Sequence, residues 1–190
     1  MTPTLDWNRA LREQWEFHWN HQVRARLAGL TDDEYTWSPV DGAWNVRPRG
    51  GSAIQFGTGG HLIDFAYPTP EPEPFTTIAW RLGHVIVGVL AMRNAAHFGG
   101  PDASYEGWAY AGTAKEALAQ LDTELAAWLD GVRGLDDAAL ATPVGPKEPA
   151  HPDAPMADLV LHIHRELIHH LSEACLLRDL YLHTRRGVTA

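Results

Sequence analysis

Residues 159–173 hold a dense run of groups that bind metals or move protons: His162-Ile163-His164-Arg165-Glu166-Leu167-Ile168-His169-His170, followed by Glu173. A helix advances about 100° per residue. On that wheel Met156, Leu159, Ile163, Leu167, Ala174, Leu177 and Tyr181 form one apolar stripe. Glu166 and His170, four residues apart, fall on the same stripe. His162, His169 and Glu173 lie along its flank, while His164 and Arg165 point away. A carboxylate and an imidazole on a core face cost free energy unless something compensates them. An unpaired buried carboxylate either takes up a proton or needs a cation. A divalent metal removes that cost, and imidazole with carboxylate oxygen suits zinc first, with nickel, iron or manganese as alternatives. The ordinary alternative is that Glu166 pairs with Arg81 or Arg93 and that His170 bonds a backbone carbonyl. The helix alone does not choose between the two.

A third candidate ligand is His84, in a segment that is apolar on nearly every side (Ile78, Trp80, Leu82, Val85, Ile86, Val87, Val89, Leu90). Gly83 and Gly88 flank it, small enough to let another helix come close, as a site between helices requires. A lone histidine in such a segment is more often a satisfied core residue, so its weight comes from the Glu166/His170 pair. Glu166 and His169 also match the Glu-x-x-His spacing of di-iron bundles, but such sites need a second copy of the motif and the chain has none.

Four helices must position these groups. The first is expected from about Thr4 to Gly29, with Leu11, Trp15, Trp19, Val23, Leu27 and Leu30 as its stripe and Asp6 as its cap. The second spans roughly Thr76 to Phe98, capped by Thr76 or Thr77 and stopped by Gly99-Gly100-Pro101. The third runs from about Thr113 to Val132 with Leu118, Leu121, Leu125 and Trp128 or Leu129 inward, and Thr113 with Glu116 makes a capping-box pattern. The fourth runs from Met156 to about Thr184. Residues 31–74 show turn signals and no sustained period, and end in a proline-rich extended tail. So long a loop is more often functional than idle, and it is expected to cover one end of the helices, since Trp37 and Trp44 need burial.

The whole-chain totals narrow the class further. The chain has 190 residues, 45% apolar and 21% charged, in keeping with one soluble domain from 1 to 190. A net charge of −9 with scattered basic residues, Arg185–Arg186 being too short for a patch, argues against nucleic acid as partner. Cys175 is the one cysteine, which excludes an intrachain disulfide and suits a reducing cytoplasm. The stretch Met1 to Trp7 does not read as a signal peptide, and no apolar run is long enough to span a membrane.

With these positions in hand, the chain resembles the DinB/YfiT-like superfamily of metal-dependent helical proteins over nearly its whole length. The resemblance is clearest in Trp80-Arg81-Leu82-Gly83-His84 and in Arg165 to Ala174. It implies an all-α, up-down-down-up four-helix bundle whose inner face holds one metal through His84, Glu166 and His170. Many members carry histidine where this chain has Glu166, so it is similar to a glutamate-bearing branch, with His169 as the substitute ligand if the helix is rotated. Three protein ligands leave a coordination position open, the catalytic arrangement.

The resemblance further implies transfer of a low-molecular-weight thiol, bacillithiol- or mycothiol-like, to an electrophile, with the Trp37–Trp44 cover shaping the electrophile pocket. Trp44 and Arg47 are the candidate co-substrate contacts, Arg47 and Arg49 being placed to meet an anionic group. The first alternative is a hydrolase that activates water, with His162 or His169 as proton shuttle. The second is a metal-stabilised bundle of stress response or interaction, without turnover. Relatives are often homodimers.

Overall fold

The computed structural model describes residues 5–185. The expected helix start at Thr4, residues 1–4 of the N-terminal stretch and Arg186 lie outside them. Leu11, Trp15, Trp19, Val23 and Leu27 recur at every fourth position, and four residues overshoot an α-turn by about 40°. Five such residues would wind off one face of a regular helix. Helix α1 (residues 7–27) corrects the drift: Trp7–His18 is α-helical, Trp19–Val23 opens into π turns, and Arg24–Leu27 returns to α. A π turn takes more residues and rewinds the stripe, and all five side chains are buried. Asp6 caps α1 by accepting the Arg9 N–H at 2.9 Å, and Gly29, at φ +70°, lets the chain leave.

Helix α2 (Asp32–Thr36) starts on a capping box between Thr31 and Glu34. Three short strands follow, β1 (Val46–Pro48), β2 (Gln55–Phe56) and β3 (His61–Asp64), in an antiparallel sheet of order β1-β3-β2. The expected all-α fold is thus mostly helical with a small sheet inside the 31–74 segment. Strands of two to four residues are too short for an alternating pattern to show in the sequence.

Helix α3 (residues 78–97) is capped by Thr77 and carries a π segment, Val85–Ala91, in which every residue is buried. Helix α4 (Ala114–Arg133) is capped by Thr113, and its inward line is Ala117, Leu121, Leu125, Trp128 and Val132, so Trp128 rather than Leu129 is the core residue. Helix α5 (Asp137–Ala141) leads into a looped segment closed by a bridge between Pro143 and Pro155. Helix α6 (Met156–Arg185) completes the described residues. Both α1 and α3 pack against both α4 and α6, around one apolar cluster. No helix among the described residues is long and apolar enough to cross a membrane.

The 31–64 segment is tied to the start of α3. The Trp44 N–H donates to the Phe75 carbonyl at 2.8 Å and the Thr77 N–H to the Trp44 carbonyl at 3.1 Å. The Thr77 hydroxyl donates to Asn45 Oδ1 at 2.8 Å, and Trp80 Nε1 to the Asp64 carbonyl at 2.7 Å. Both loop tryptophans find cover, Trp44 fully and Trp37 in part against Tyr181 of α6, with ring centroids 5.5 Å apart. These contacts fix the turn of α3 that carries His84.

Candidate metal centre

His84 ends the α-helical part of α3, immediately before its π segment. Its ring stacks on Trp80 at 5.3 Å with 8° between the planes, and meets the ring of His170 edge-on at 4.7 Å. Its Nδ1 shares a 2.6 Å hydrogen bond with the Tyr105 hydroxyl. Burial, helped by the positive charges of His170, Arg81 and Arg93, pushes the His84 pKa down to about 3, so the ring is neutral at pH 7. In the tautomer whose Nδ1–H donates to Tyr105, the lone pair on Nε2 is available to a cation.

The glycines near His84 serve loop residues, not a second helix as the sequence suggested. A β-carbon on Gly88 would collide with the Tyr105 hydroxyl, and one on Gly83 would press on Ile63 of β3 and on Tyr110. Tyr105 is held in turn: its backbone carbonyl accepts the Tyr110 hydroxyl at 3.0 Å.

On α6, His170 Nδ1–H donates to Glu173 Oε2 at 3.1 Å, and that same oxygen is ion-paired with Arg81 of α3. A carboxylate only accepts, so Nδ1 carries a proton. Nε2 lies 3.5 Å from Glu166 Oε2. Burial lowers the His170 pKa, with Glu173 opposing the shift. The two imidazoles are thus held alike: each has Nδ1 engaged by a neighbouring oxygen.

Glu166 differs from expectation. The buried face of α6 is centred on Val160, Ile163, Leu167, Leu171 and Ala174, so Glu166 and His170 stand at its margin with side chains 27% and 16% exposed. Glu166 Oε1 has His162 Nδ1 and Arg165 Nε each at 3.7 Å. Arg81 and Arg93, the arginines that would have neutralised it, are paired with Glu173 and Glu148 instead. His164, expected to face outward, is 3% exposed: Nδ1 donates to the Leu11 carbonyl and Nε2 accepts from Trp128 Nε1, each at 3.2 Å. Cys175 is buried, its carbonyl accepting from Arg26 of α1, and burial raises its thiol pKa. Burial of the thiol does not favour the thiolate that a nucleophile needs.

Among the described residues, the grouping whose ligand atoms converge is a different one: His169, His170 and Glu173 place one ligand atom each within 4.8 Å of one another, closer than His84, Glu166 and His170 come together. His170 belongs to both sets. The exposed His169 Nε2 lies 3.5 Å from Glu173 Oε1. The remaining sequence candidates support the sheet side. Trp44 packs on Phe65 and on Trp80, at 6.0 and 5.9 Å, one ring behind His84. The Arg47 guanidinium is committed to Asp64 at 2.9 Å and to the Ala43 carbonyl at 2.8 Å, and Arg49 to the Gly59 carbonyl.

The family model described as the DinB superfamily matches residues 14–174, and the chain belongs to that superfamily. No curated protein and no solved structure matches it. The matched range contains His84, Glu166 and His170 together with Tyr105 and Glu173, the two residues that orient the imidazoles. Sequence reasoning missed Tyr105, which lies in an irregular loop where no period applies. Glu173 was visible only as a flank residue three positions from His170, a helical neighbour whose partner on α3 could not be seen.

Proposed function

We propose that this protein is a cytosolic metal-dependent transferase, built on the up-down-down-up bundle of its superfamily, that joins a low-molecular-weight thiol to an electrophile. Its ion is held by His84, Glu166 and His170. The observation that carries the reading is the paired orientation of the imidazoles: Tyr105 holds one Nδ1 and Glu173 the other, on rings 4.7 Å apart, so that Nε2 is the atom each ring would offer an ion. Second-layer oxygens of this kind fix the tautomer and direction of metal-ligating histidines. Two imidazoles and one carboxylate suit zinc, with nickel, iron or manganese as competitors.

The grouping of His169, His170 and Glu173 fits less well. It would withdraw Glu173 from Arg81, spend the His170 orienting bond, and rely on an exposed histidine. When bound, the ion supplies Lewis acidity that makes a coordinated thiol or water more acidic at neutral pH. The chain's own part is to exclude water with Trp80 and Tyr105 around His84 and to hold Arg165 beside Glu166. His162 and His169, half-buried and exposed, can pass a proton to solvent. That supports water activation as the second reading.

The test is metal analysis of purified protein with a thiol-dependent assay on 1-chloro-2,4-dinitrobenzene. Wild-type protein should hold about one equivalent of metal, lost in His84→Ala and Glu166→Ala and kept in His169→Ala. Consumption of the electrophile should require both metal and thiol. Full occupancy in His84→Ala would refute the centre, and turnover without thiol would move the reaction to hydrolysis.

A further inference from the structure

A cleft of about 830 Å³ lies between the looped segment before α6 and the first turns of α6 itself, with Arg93 of α3 on its wall. Neither Trp37 nor Trp44 lines it, although the sequence placed the substrate pocket at their cover. Its size is that of a site for a small organic molecule.

Two of its walls reach the metal centre. On one, His162 and Arg165 each approach Glu166 to 3.7 Å. On the other, Arg93 donates to the Gly88 carbonyl at 2.5 Å, and Gly88 is the residue on which the Tyr105 hydroxyl rests. Tyr105 holds His84. The cleft is therefore bounded in part by the neighbours of two proposed ligands on two different helices.

Charge is distributed unevenly along it. The part nearest Glu166 and Gly88 carries Arg93, Arg165 and His162. Glu148, the acidic group there, is already compensated by Arg93 at 3.2 Å and His97 at 3.1 Å. The Nε of Arg93 is buried and has no hydrogen-bond partner among the described residues. Arg165 is 69% exposed, and once Glu166 is given to a cation its remaining recorded partner is the His162 ring at 2.7 Å. The mouth carries Asp153 and Asp158, both exposed. Asp158 stands eight residues before Glu166 on one helix, about 12 Å along the axis. Between the two ends the lining is apolar, with Val144, Pro152, Leu159 and Leu161.

We infer that this cleft is the acceptor site, and that it takes a small organic monocarboxylate with an apolar body. The carboxylate pairs with the exposed Arg165, next to Glu166, and the body lies along Val144, Leu159 and Leu161. A planar guanidinium forms paired bonds to a carboxylate. The aspartates at the mouth repel a second negative charge, which excludes a dianion that spans the cleft. The assignment of this ligand as the electrophile rests on the proposed function; binding in the cleft does not.

The probe is 4-chloro-3-nitrobenzoate, with 4-chloro-3-nitrobenzamide as its uncharged match, each titrated into the whole protein with and without zinc and followed by backbone amide chemical shifts. Saturable shifts should cluster at residues 144–154 and 159–165. The benzamide should bind about tenfold more weakly, and Arg165→Gln should remove that preference by weakening the benzoate alone. Ala154→Trp, at a half-buried loop position, should fill the cleft and abolish both.

Equal binding of the two probes, no effect of Arg165→Gln, or shifts clustered at Trp37 and Trp44 would each overturn the inference. Cleft binding retained in a His84→Ala protein that has lost no metal would overturn the metal centre and leave the cleft standing.

Discussion

At the scale of single residues, Tyr105 and Glu173 separate the competing descriptions of the site. Tyr105 touches no ion in the proposed centre, yet it fixes the direction of the His84 ring through a 2.6 Å bond to Nδ1. Tyr105→Phe removes only that oxygen. Loss of a partner of this type weakens metal affinity by about 10- to 100-fold, so a competition titration with a zinc chelator should show a drop of that size with an unchanged far-ultraviolet spectrum. An unchanged affinity would mean that the hydroxyl serves packing alone. Glu173→Gln gives a sharper division. As an orienting group, Glu173 loses its charge but keeps a carbonyl oxygen for His170, and affinity should fall about tenfold. As a ligand in the grouping with His169 it would be replaced by a poor donor, and binding would be abolished. Gly88 belongs to the same unit: Gly88→Ala drives a methyl group into the Tyr105 hydroxyl. Overpacking of this kind costs about 1–3 kcal/mol, and urea denaturation of the variant should show it.

At the scale of elements, three helices meet on the neutral ring of His164, which ties α6 to α1 through the Leu11 carbonyl and to α4 through Trp128. Burial holds its pKa at about 4, below the usual 6.5 or so of an unfolded chain. As pH falls below that unfolded value the unfolded chain takes up a proton that the native protein refuses. The stability this histidine protects is present above pH 6.5 or so, declines as the pH falls, and is lost at about pH 4, with a slope of up to about 1.4 kcal/mol per pH unit. His84 contributes with the same sign in metal-free protein, so the comparison needs a variant. Urea denaturation of His164→Gln between pH 7 and pH 4.5 should start lower than wild type and fall less steeply, and parallel curves would show that the ring does not control the transition.

His164 also marks how far helical periodicity can be read. The wheel identified the four long helices, three of their caps, and the placement of His170 on the side of α6 that meets α3. It misjudged the centre of the buried face, which lies toward Leu171 and takes in His164. A long helix that touches three neighbours buries more than one stripe, so polar residues inside it lose their meaning on a single wheel. The π segments in α1 and α3 and the two- to four-residue strands escaped for a related reason: each depends on contacts made elsewhere in the chain.

For the molecule as a whole, the proposed centre is a bond between α3 and α6, two helices far apart in the chain, so its occupancy must appear in global stability. An ion that binds only the native state stabilises it by about 2.7 kcal/mol at a free concentration of 100 times Kd. For a chain of this length each kcal/mol moves Tm by about 2–4 °C, which gives an expected rise of about 5–10 °C on adding zinc to metal-free protein. The choice of control decides what the rise means. Glu166 sits at the margin of the buried face beside Arg165, and removing it also disturbs the ion pairs around it. His84 is the better probe, because its ring is neutral and its loss takes away a donor without stranding a charge. His84→Ala should therefore abolish the zinc-dependent rise, and His169→Ala should retain it. A full rise in His84→Ala would place the ion on α6 alone, where it could not link the two helices. A rise that depends on His84 but accompanies no turnover with any thiol or electrophile would leave the metal with a structural duty, and the open cleft beside it without a reaction.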